Sequence, residues 1–127
     1  DALADAFAAL GARLANPRVV TQHRDFDYLA RDAGLNIVGV VRPHEGQEPS
    51  AADLLRLTRL IREENVGAVF TEPQYPAKAG ETLARETGVP LAVLDPVANG
   101  PADASPDYYE RVMENNLRTL ERTLDAR

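Results

Sequence analysis

The sequence predicts an α/β fold in which a four-stranded parallel sheet lies between layers of helices. Short apolar segments alternate with segments whose apolar residues recur every three or four positions, the order expected for βαβ units. The segment Ile37 to Val41 is apolar throughout, so both of its faces should be buried, as in a parallel sheet. With 127 residues, 44% of them hydrophobic and 27% charged, the chain fits one folded domain.

The predicted elements follow one another without a domain linker, an internal repeat or a low-complexity segment. In order they are a helix that begins at or before Asp1 and ends at Asn16-Pro17, a strand from Arg18 to Thr21, a helix from His23 to about Gly34, a strand from Asn36 to Val41, a helix from Ser50 to about Asn65, a strand from Ala68 to Thr71, a helix from about Ala77 to Thr87, a strand from Pro90 to Leu94, and a last helix from Ser105.

Residue types and spacing support the first elements. The β-branched Val19 and Val20 favour a strand, and Gly34 tolerates the left-handed conformation that ends a helix. Gly11 weakens the first helix, because glycine has a low helix propensity. The apolar stripe of that helix is formed by Leu3, Phe7, Leu10 and Leu14.

The later helices have clear start and stop signals. Ser50 and Asp53 predict a capping box, in which each side chain satisfies a main-chain N–H at a helix start. Gly88 ends the fourth helix, and Ser105-Pro106 starts the last one. The buried stripe of the third helix is predicted to be Leu54, Leu57, Leu60 and Ile61, and that of the last helix Tyr109, Val112 or Met113, Leu117, Leu120 and Leu124.

Composition excludes several classes of function. The net charge is -6 and the 14 basic residues are scattered among acidic ones, which argues against nucleic acid and favours a cationic ligand. The absence of cysteine excludes disulfides, thiolate metal sites and cysteine nucleophiles, but decides no compartment. No apolar run approaches the length of a membrane helix. Because the chain opens on Asp1, inside a predicted helix, we expect an excised piece of a longer protein.

Candidate functional groups follow the predicted strands directly. They are His23, the turn Arg42 to His44, Glu72 and Asp95. The carboxyl ends of parallel strands share one edge of the sheet, where ligands collect, so we expect His23, Glu72 and Asp95 to converge there. Imidazole together with carboxylates suits a divalent transition ion such as zinc or manganese.

Each of these residues also has a structural interpretation. His23 could cap the following helix, Glu72 could accept hydrogen bonds from a neighbouring loop, and Asp95 could form an Asx turn before a proline. The remaining candidates are expected to be exposed or to pack: His44, Glu48, Tyr28, Tyr108 and Tyr109. The residues alone support a binding site and structural turns equally.

Four segments carry a resemblance to a known family. They are Val19-Val20-Thr21-Gln22-His23-Arg24-Asp25-Phe26-Asp27-Tyr28-Leu29, Glu48-Pro49-Ser50, Ala68-Val69-Phe70-Thr71-Glu72-Pro73-Gln74 and Leu94-Asp95-Pro96. Together they resemble the zinc and manganese solute-binding proteins of metal ABC transporters, of the metal-binding cluster A-I type. The resemblance runs from the first helix to the last.

The resemblance implies that the chain is one lobe of a two-lobe protein, with the metal in the cleft between the lobes. Residues 1–16 would be the end of the helix that joins the lobes, and residues 17–127 the carboxyl-terminal lobe. His23 and Asp95 match metal ligands, and Glu72 matches a glutamate that orients the site. The two histidines of the missing amino-terminal lobe have no counterpart here, so the chain carries half of the site.

The function implied is metal delivery without chemistry on the ligand. The resemblance implies an extracytoplasmic protein, in the periplasm or as a cell-surface lipoprotein, that delivers zinc to a membrane ABC permease. Histidine rather than glutamate at His23 favours zinc over manganese. The missing lobe and the permease are the implied partners, and an isolated lobe is expected to self-associate through the stripe of its first helix or its inter-lobe surface.

Two other functions remain open. The first is a small α/β hydrolase in which His23 acts as base and Asp95 orients it, with a metal or Ser50 nearby. The sequence lacks a nucleophile elbow and a phosphate-binding loop, which argues against it. The second is an adhesion or interaction module whose metal is structural.

Overall fold

A four-stranded parallel sheet forms the centre of the computed structural model, which describes residues 2–23, 26–42, 49–73, 76–95 and 108–125. The elements are α1 (Ala2–Arg13), β1 (Arg18–Thr21), α2 (Asp27–Ala33), β2 (Asn36–Val40), α3 (Ala51–Glu63), β3 (Ala68–Thr71), α4 (Lys78–Thr87), β4 (Leu91–Val93), α5 (Tyr108–Leu120) and a π-helical turn (Glu121–Asp125). The strand order is β2-β1-β3-β4, and all three pairings are parallel. The predicted α/β fold class is confirmed.

Alternate residues of each strand enter two separate cores. Val19 and Phe70 pack on the face covered by α1, α2 and α5, whereas Val20 and Val69 pack on the face covered by α3 and α4. Successive side chains of a strand point to opposite faces, so an unbroken apolar strand supplies both cores. The helices therefore form two layers, and the carboxyl ends of all four strands emerge between them at one edge.

Most predicted element boundaries agree closely with the structure, but α1 ends at Arg13, before Asn16-Pro17, and α2 begins at Asp27, after His23. Gly34 (φ 67°) and Gly88 (φ 76°) are left-handed helix caps. The Ser50 hydroxyl accepts the Asp53 N–H at 3.1 Å, and the Asp53 carboxylate accepts the Ser50 N–H at 2.9 Å. β2 and β4 end one residue earlier than predicted. The N–H of the residue after each strand still donates to the neighbouring strand, from Val41 to the Thr21 carbonyl oxygen and from Leu94 to the Thr71 carbonyl oxygen.

The first turn of α5 differs from its prediction. Tyr109 was expected in the core but is 51% exposed, whereas Met113 is buried. Tyr109 is exposed because it lies beside the first turn of α1, in a surface groove that Leu3 and Leu117 also line. The predicted start of this helix at Ser105 lies outside the described residues.

The apolar stripe of α1 packs within the fold. Phe7 and Leu10 are buried, and Leu3 and Leu14 are partly buried against the same core. Phe7 and Leu10 are therefore not part of an exposed surface, and self-association through the rest of the stripe or the inter-lobe surface stays a prediction. Within the described part of the chain, no helix is long and apolar enough to cross a lipid bilayer.

Gly11 allows α1 to approach α2 closely. A Cβ atom at this position would overlap the carbonyl group of Ala33, at the end of α2. The sequence indicated only a weak point of the helix, because the contact joins residues far apart in the chain. Glycine here costs helix propensity and allows the two main chains to touch.

Replacing Gly11 with alanine tests this contact. Alanine normally stabilises a helix interior by about 1 kcal/mol relative to glycine. Here we expect Gly11→Ala to lower the free energy of unfolding, since overpacking typically costs about 1–3 kcal/mol. Urea unfolding measures the change, with Ala12→Gly on the exposed side of α1 as a control for propensity. A more stable Gly11→Ala variant would contradict the close approach.

The capping box of α3 makes part of the stability depend on pH. Hydrogen bonds from the main chain and hydroxyl of Ser50 hold the pKa of Asp53 below its usual value of 3.8. Since the folded state favours the charged carboxylate, its contribution is present at neutral pH and lost as the pH falls through the lowered pKa. We expect Asp53→Ala to destabilise the chain at pH 7, and the difference from wild type to shrink below pH 3.8.

Urea unfolding of both proteins across this pH range checks the prediction. Ser50→Ala serves for comparison, because it removes the hydroxyl that accepts the Asp53 N–H. Losing such a cap typically costs about 1 kcal/mol of stability, and part of this loss does not depend on the charge of the Asp53 carboxylate. An Asp53→Ala difference that is equal at pH 7 and about pH 3 would show that the charged cap does not contribute.

Candidate metal centre

The three predicted site residues follow three adjacent strands at the same edge of the sheet. His23 comes after β1, Glu72 after β3, and Asp95 after β4. β3 lies between β1 and β4, so Glu72 occupies the middle position. Neighbouring strands are roughly 4.8 Å apart, which puts the main chains of β1 and β4 about 10 Å from one another. The turns that carry His23 and Asp95 therefore lie on either side of the turn that carries Glu72.

His23 and Glu72 form a buried hydrogen-bonded pair. The distance between Nδ1 of His23 and Oε2 of Glu72 is 2.7 Å, and the two side chains are 13% and 1% exposed. A neutral imidazole makes this contact by donating Nδ1–H to the carboxylate, which fixes the ring orientation. The other ring nitrogen, Nε2, is shielded from solvent. Two structural interpretations are therefore replaced. His23 does not cap α2, because Phe26 is the N-cap residue of that helix. The Glu72 carboxylate bonds to the His23 imidazole.

The main chain around this pair is held by neighbouring side chains. The Thr21 hydroxyl donates to the His23 carbonyl oxygen at 2.8 Å. The Gln22 amide oxygen accepts the Glu72 N–H at 3.1 Å, and its amide nitrogen donates to the Pro76 carbonyl oxygen at 3.3 Å. Gln22 is 3% exposed. Sequence reasoning assigned Gln22 no role, although a glutamine between an apolar strand and a histidine is a polar group that burial would force to find partners.

Asp95 is held through its main chain by α5. The Asn116 side-chain oxygen accepts the Asp95 N–H at 3.0 Å, and its nitrogen donates to the Asp95 carbonyl oxygen at 2.8 Å. Asn116 is 1% exposed. The prediction for the last helix omitted Asn116, which lies on the same stripe as Met113 and Leu120. A single amide on an apolar helix face was the available signal.

Asp95 also lines a groove between β4 and α5. The groove has a volume of about 660 Å³, and its walls include Arg111 and Asn115 from α5 and Arg122 from the π-helical turn. His23 and Glu72 do not line it. The groove therefore lies beside β4 on the α5 side, apart from the histidine–glutamate pair.

The structure brings some of the predicted residues together. His23 and Glu72 are in contact, and Asp95 lies at the same sheet edge two strands from β1. Within the described ranges, no group of three or more His, Cys, Asp or Glu residues is placed to hold a metal ion. His44 and Glu48 lie outside the described residues. The metal-binding roles of His23 and Asp95, and the orienting role of Glu72, stay predictions.

Sequence comparison identifies relatives that are larger than this chain. The profile of the family described as zinc-uptake complex component A, periplasmic, matches residues 1–123. The zinc-binding protein AdcA of Streptococcus pyogenes serotype M1 is 36% identical over 110 residues, covering 84% of this chain and 21% of AdcA. The zinc-binding lipoprotein AdcA of Streptococcus pneumoniae serotype 4 is 35% identical over 108 residues, covering 84% and 22%. The chain thus spans about a fifth of these curated relatives.

Solved structures show the same relationship. The laminin-binding adhesin Lmb of Streptococcus agalactiae superposes with a TM-score of 0.80 at 27% identity, covering 97% of this chain and 46% of Lmb. The solute-binding protein FpvC of Pseudomonas aeruginosa, solved in complex with Mn²⁺, gives a TM-score of 0.76 at 35% identity, covering 96% and 47%. The resemblance to zinc and manganese solute-binding proteins is confirmed. The chain belongs to the zinc-uptake complex component A family.

Proposed function

We propose that the chain is the carboxyl-terminal lobe of an extracytoplasmic solute-binding protein that binds zinc in a cleft between two lobes and delivers it to a membrane ABC permease. Residues 1–16 are the end of the helix that joins the lobes, and residues 17–127 form the lobe. The observation that carries the proposal is the buried contact between His23 and Glu72 at the carboxyl edge of the sheet. This hydrogen-bonded polar pair lies at the carboxyl ends of parallel strands, which is where ligands bind in α/β folds.

His23 would bind zinc through Nε2, since Nδ1 is engaged by Glu72. A carboxylate that accepts Nδ1–H fixes the ring tautomer and makes the other nitrogen a stronger donor, which is the usual arrangement of metal-bound histidine. Asp95 would contribute a carboxylate oxygen from β4. Nitrogen together with oxygen suits zinc, with manganese as the alternative ion.

Two direct donors do not close a zinc site. Structural zinc takes four ligands, and this lobe offers His23 and Asp95. The remaining donors would come from the amino-terminal lobe, in keeping with the 46% of Lmb that this chain covers. A site divided in this way would hold zinc tightly only when the lobes are joined.

The hydrolase alternative receives less support from the geometry. It requires Asp95 to orient His23, but the residue bonded to the His23 ring is Glu72. The Ser50 hydroxyl accepts the Asp53 N–H in the capping box of α3, so its position is explained by helix capping. A turnover screen of the whole protein would detect hydrolysis.

The adhesion alternative is raised by one neighbour, Lmb, whose name describes a laminin-binding adhesin. Among the described residues, the exposed large apolar side chains Leu55, Val93 and Tyr109 lie on three different elements. Measuring zinc exchange in the whole protein distinguishes transport from a structural metal, because a delivered ion must leave.

Zinc titration of the whole two-lobe protein tests the proposed function. We expect His23→Ala and Asp95→Ala each to weaken zinc binding strongly, because each removes a direct donor. Glu72→Gln should cost about 10- to 100-fold, the usual effect of losing a partner of a ligand. The isolated chain should bind zinc far more weakly than the whole protein.

Competitive titration with a zinc-binding dye measures these affinities. Glu63→Gln, an exposed carboxylate on α3, is the control and should leave the affinity unchanged. Unchanged zinc affinity after both His23→Ala and Asp95→Ala, or equal affinity for the isolated chain and the whole protein, would refute the half-site.

A further inference from the structure

Gln22 joins the turns at the ends of three neighbouring strands. Its main-chain N–H donates to the Phe70 carbonyl oxygen at 3.0 Å, and its own carbonyl oxygen accepts the Arg42 N–H at 2.9 Å. Its side chain accepts the Glu72 N–H at 3.1 Å and donates to the Pro76 carbonyl oxygen at 3.3 Å. Four main-chain groups at the sheet edge are therefore hydrogen-bonded to one residue that is 3% exposed.

The side-chain contacts of Gln22 bear on the histidine–glutamate pair. The Glu72 main chain is held by the Gln22 amide oxygen, while the Glu72 carboxylate holds Nδ1 of His23. Two hydrogen bonds thus connect the Gln22 amide to the imidazole ring. Because a buried N–H that loses its acceptor must find another, removal of this amide would move the Glu72 main chain.

Only a carboxamide of this length fits the position. The site requires an acceptor for the Glu72 N–H and a donor for the Pro76 carbonyl oxygen at the same time. A carboxylate lacks the donor, and an apolar side chain lacks both. The main-chain pairing of β1 with β3 is formed by other atoms, so the sheet itself does not depend on the Gln22 side chain.

We propose that Gln22 is a positioning residue for zinc binding: it fixes the main chain at Glu72 and thereby sets the orientation of the His23 ring. This inference rests on the proposed function and extends it to a residue that does not touch the metal. Its effect on affinity is expected to resemble that of other partners of ligands, about 10- to 100-fold.

The test compares two side-chain amides at opposite edges of the sheet, of which Gln22 is buried and Asn16 is half-buried. Gln22→Met keeps the side-chain length and removes both hydrogen bonds. Asn16 is the matched control, since its amide donates to the Asn65 carbonyl oxygen at 2.6 Å and accepts the Arg18 N–H at 3.2 Å. Asn16→Leu removes the same two kinds of hydrogen bond at the amino edge, away from the pair.

Three measurements are made on the whole two-lobe protein: zinc affinity by competitive titration, stability by urea unfolding, and the ¹⁵N and ¹H resonances of the His23 ring without metal. We expect Gln22→Met to bind zinc about 10- to 100-fold more weakly and to shift the His23 ring resonances. Asn16→Leu should lose stability and change neither the affinity nor the resonances.

The inference is overturned if Gln22→Met binds zinc like wild type, if it loses no more affinity than Asn16→Leu, or if the ring resonances do not move. Gln22→Asn, which keeps both polar groups on a shorter side chain, replaces Gln22→Met if that variant does not fold. Loss of affinity in His23→Ala without loss in Gln22→Met refutes the positioning role alone. Unchanged affinity in His23→Ala refutes the proposed function, while the metal-free resonances still decide whether Gln22 positions the ring.

Discussion

The parallel pairing of β1 with β3 is the constraint on which the candidate site depends. His23 and Glu72 are 49 positions apart in sequence, and their side chains meet at 2.7 Å. They meet because both strands run in the same direction and end at the same edge, with Thr21 paired to Phe70. An antiparallel pairing would place the two turns at opposite ends of the sheet. The direction of the strands, and not the local sequence, therefore creates the contact.

Two buried carboxamides hold the turns that the strands bring together. Gln22 is bonded to Glu72 and Pro76, and Asn116 is bonded to both main-chain groups of Asp95. Burying an amide is unfavourable unless its donor and acceptor are both satisfied. In each case the partners are main-chain groups at the carboxyl edge of the sheet. The same two hydrogen bonds thus satisfy the side chain and fix the turn.

Local signals were sufficient for most of the secondary structure. The bounds of β1 and β3, the glycine caps at Gly34 and Gly88, and the capping box at Ser50 were all predicted, because each depends on residues within a few positions of one another. The parallel arrangement was also predictable, since alternating strands and helices allow few topologies. It followed that His23 and Glu72 would lie at one edge.

Contacts between distant segments could not be predicted in the same way. The role of Gly11 depends on the carbonyl group of Ala33, and the buried state of Asn116 depends on Asp95. Tyr109 has the spacing of a core residue, yet the first turn of α5 lies beside α1 and leaves its ring half in solvent. Spacing along a helix identifies a face, but the neighbouring elements decide how much of that face is covered.

The contact between His23 and Glu72 bears on how a divided zinc site would work. The two side chains are bonded to each other and largely buried, so contacts within the fold itself would order the ring. The conformational entropy of that side chain is lost during folding and does not reduce the binding free energy. What would remain to be ordered on binding, in the proposed two-lobe protein, is the position of the other lobe. In such a site the rigid lobe sets the geometry and therefore the choice of ion, while the closing of the two lobes sets how tightly the ion is held and how readily it is released.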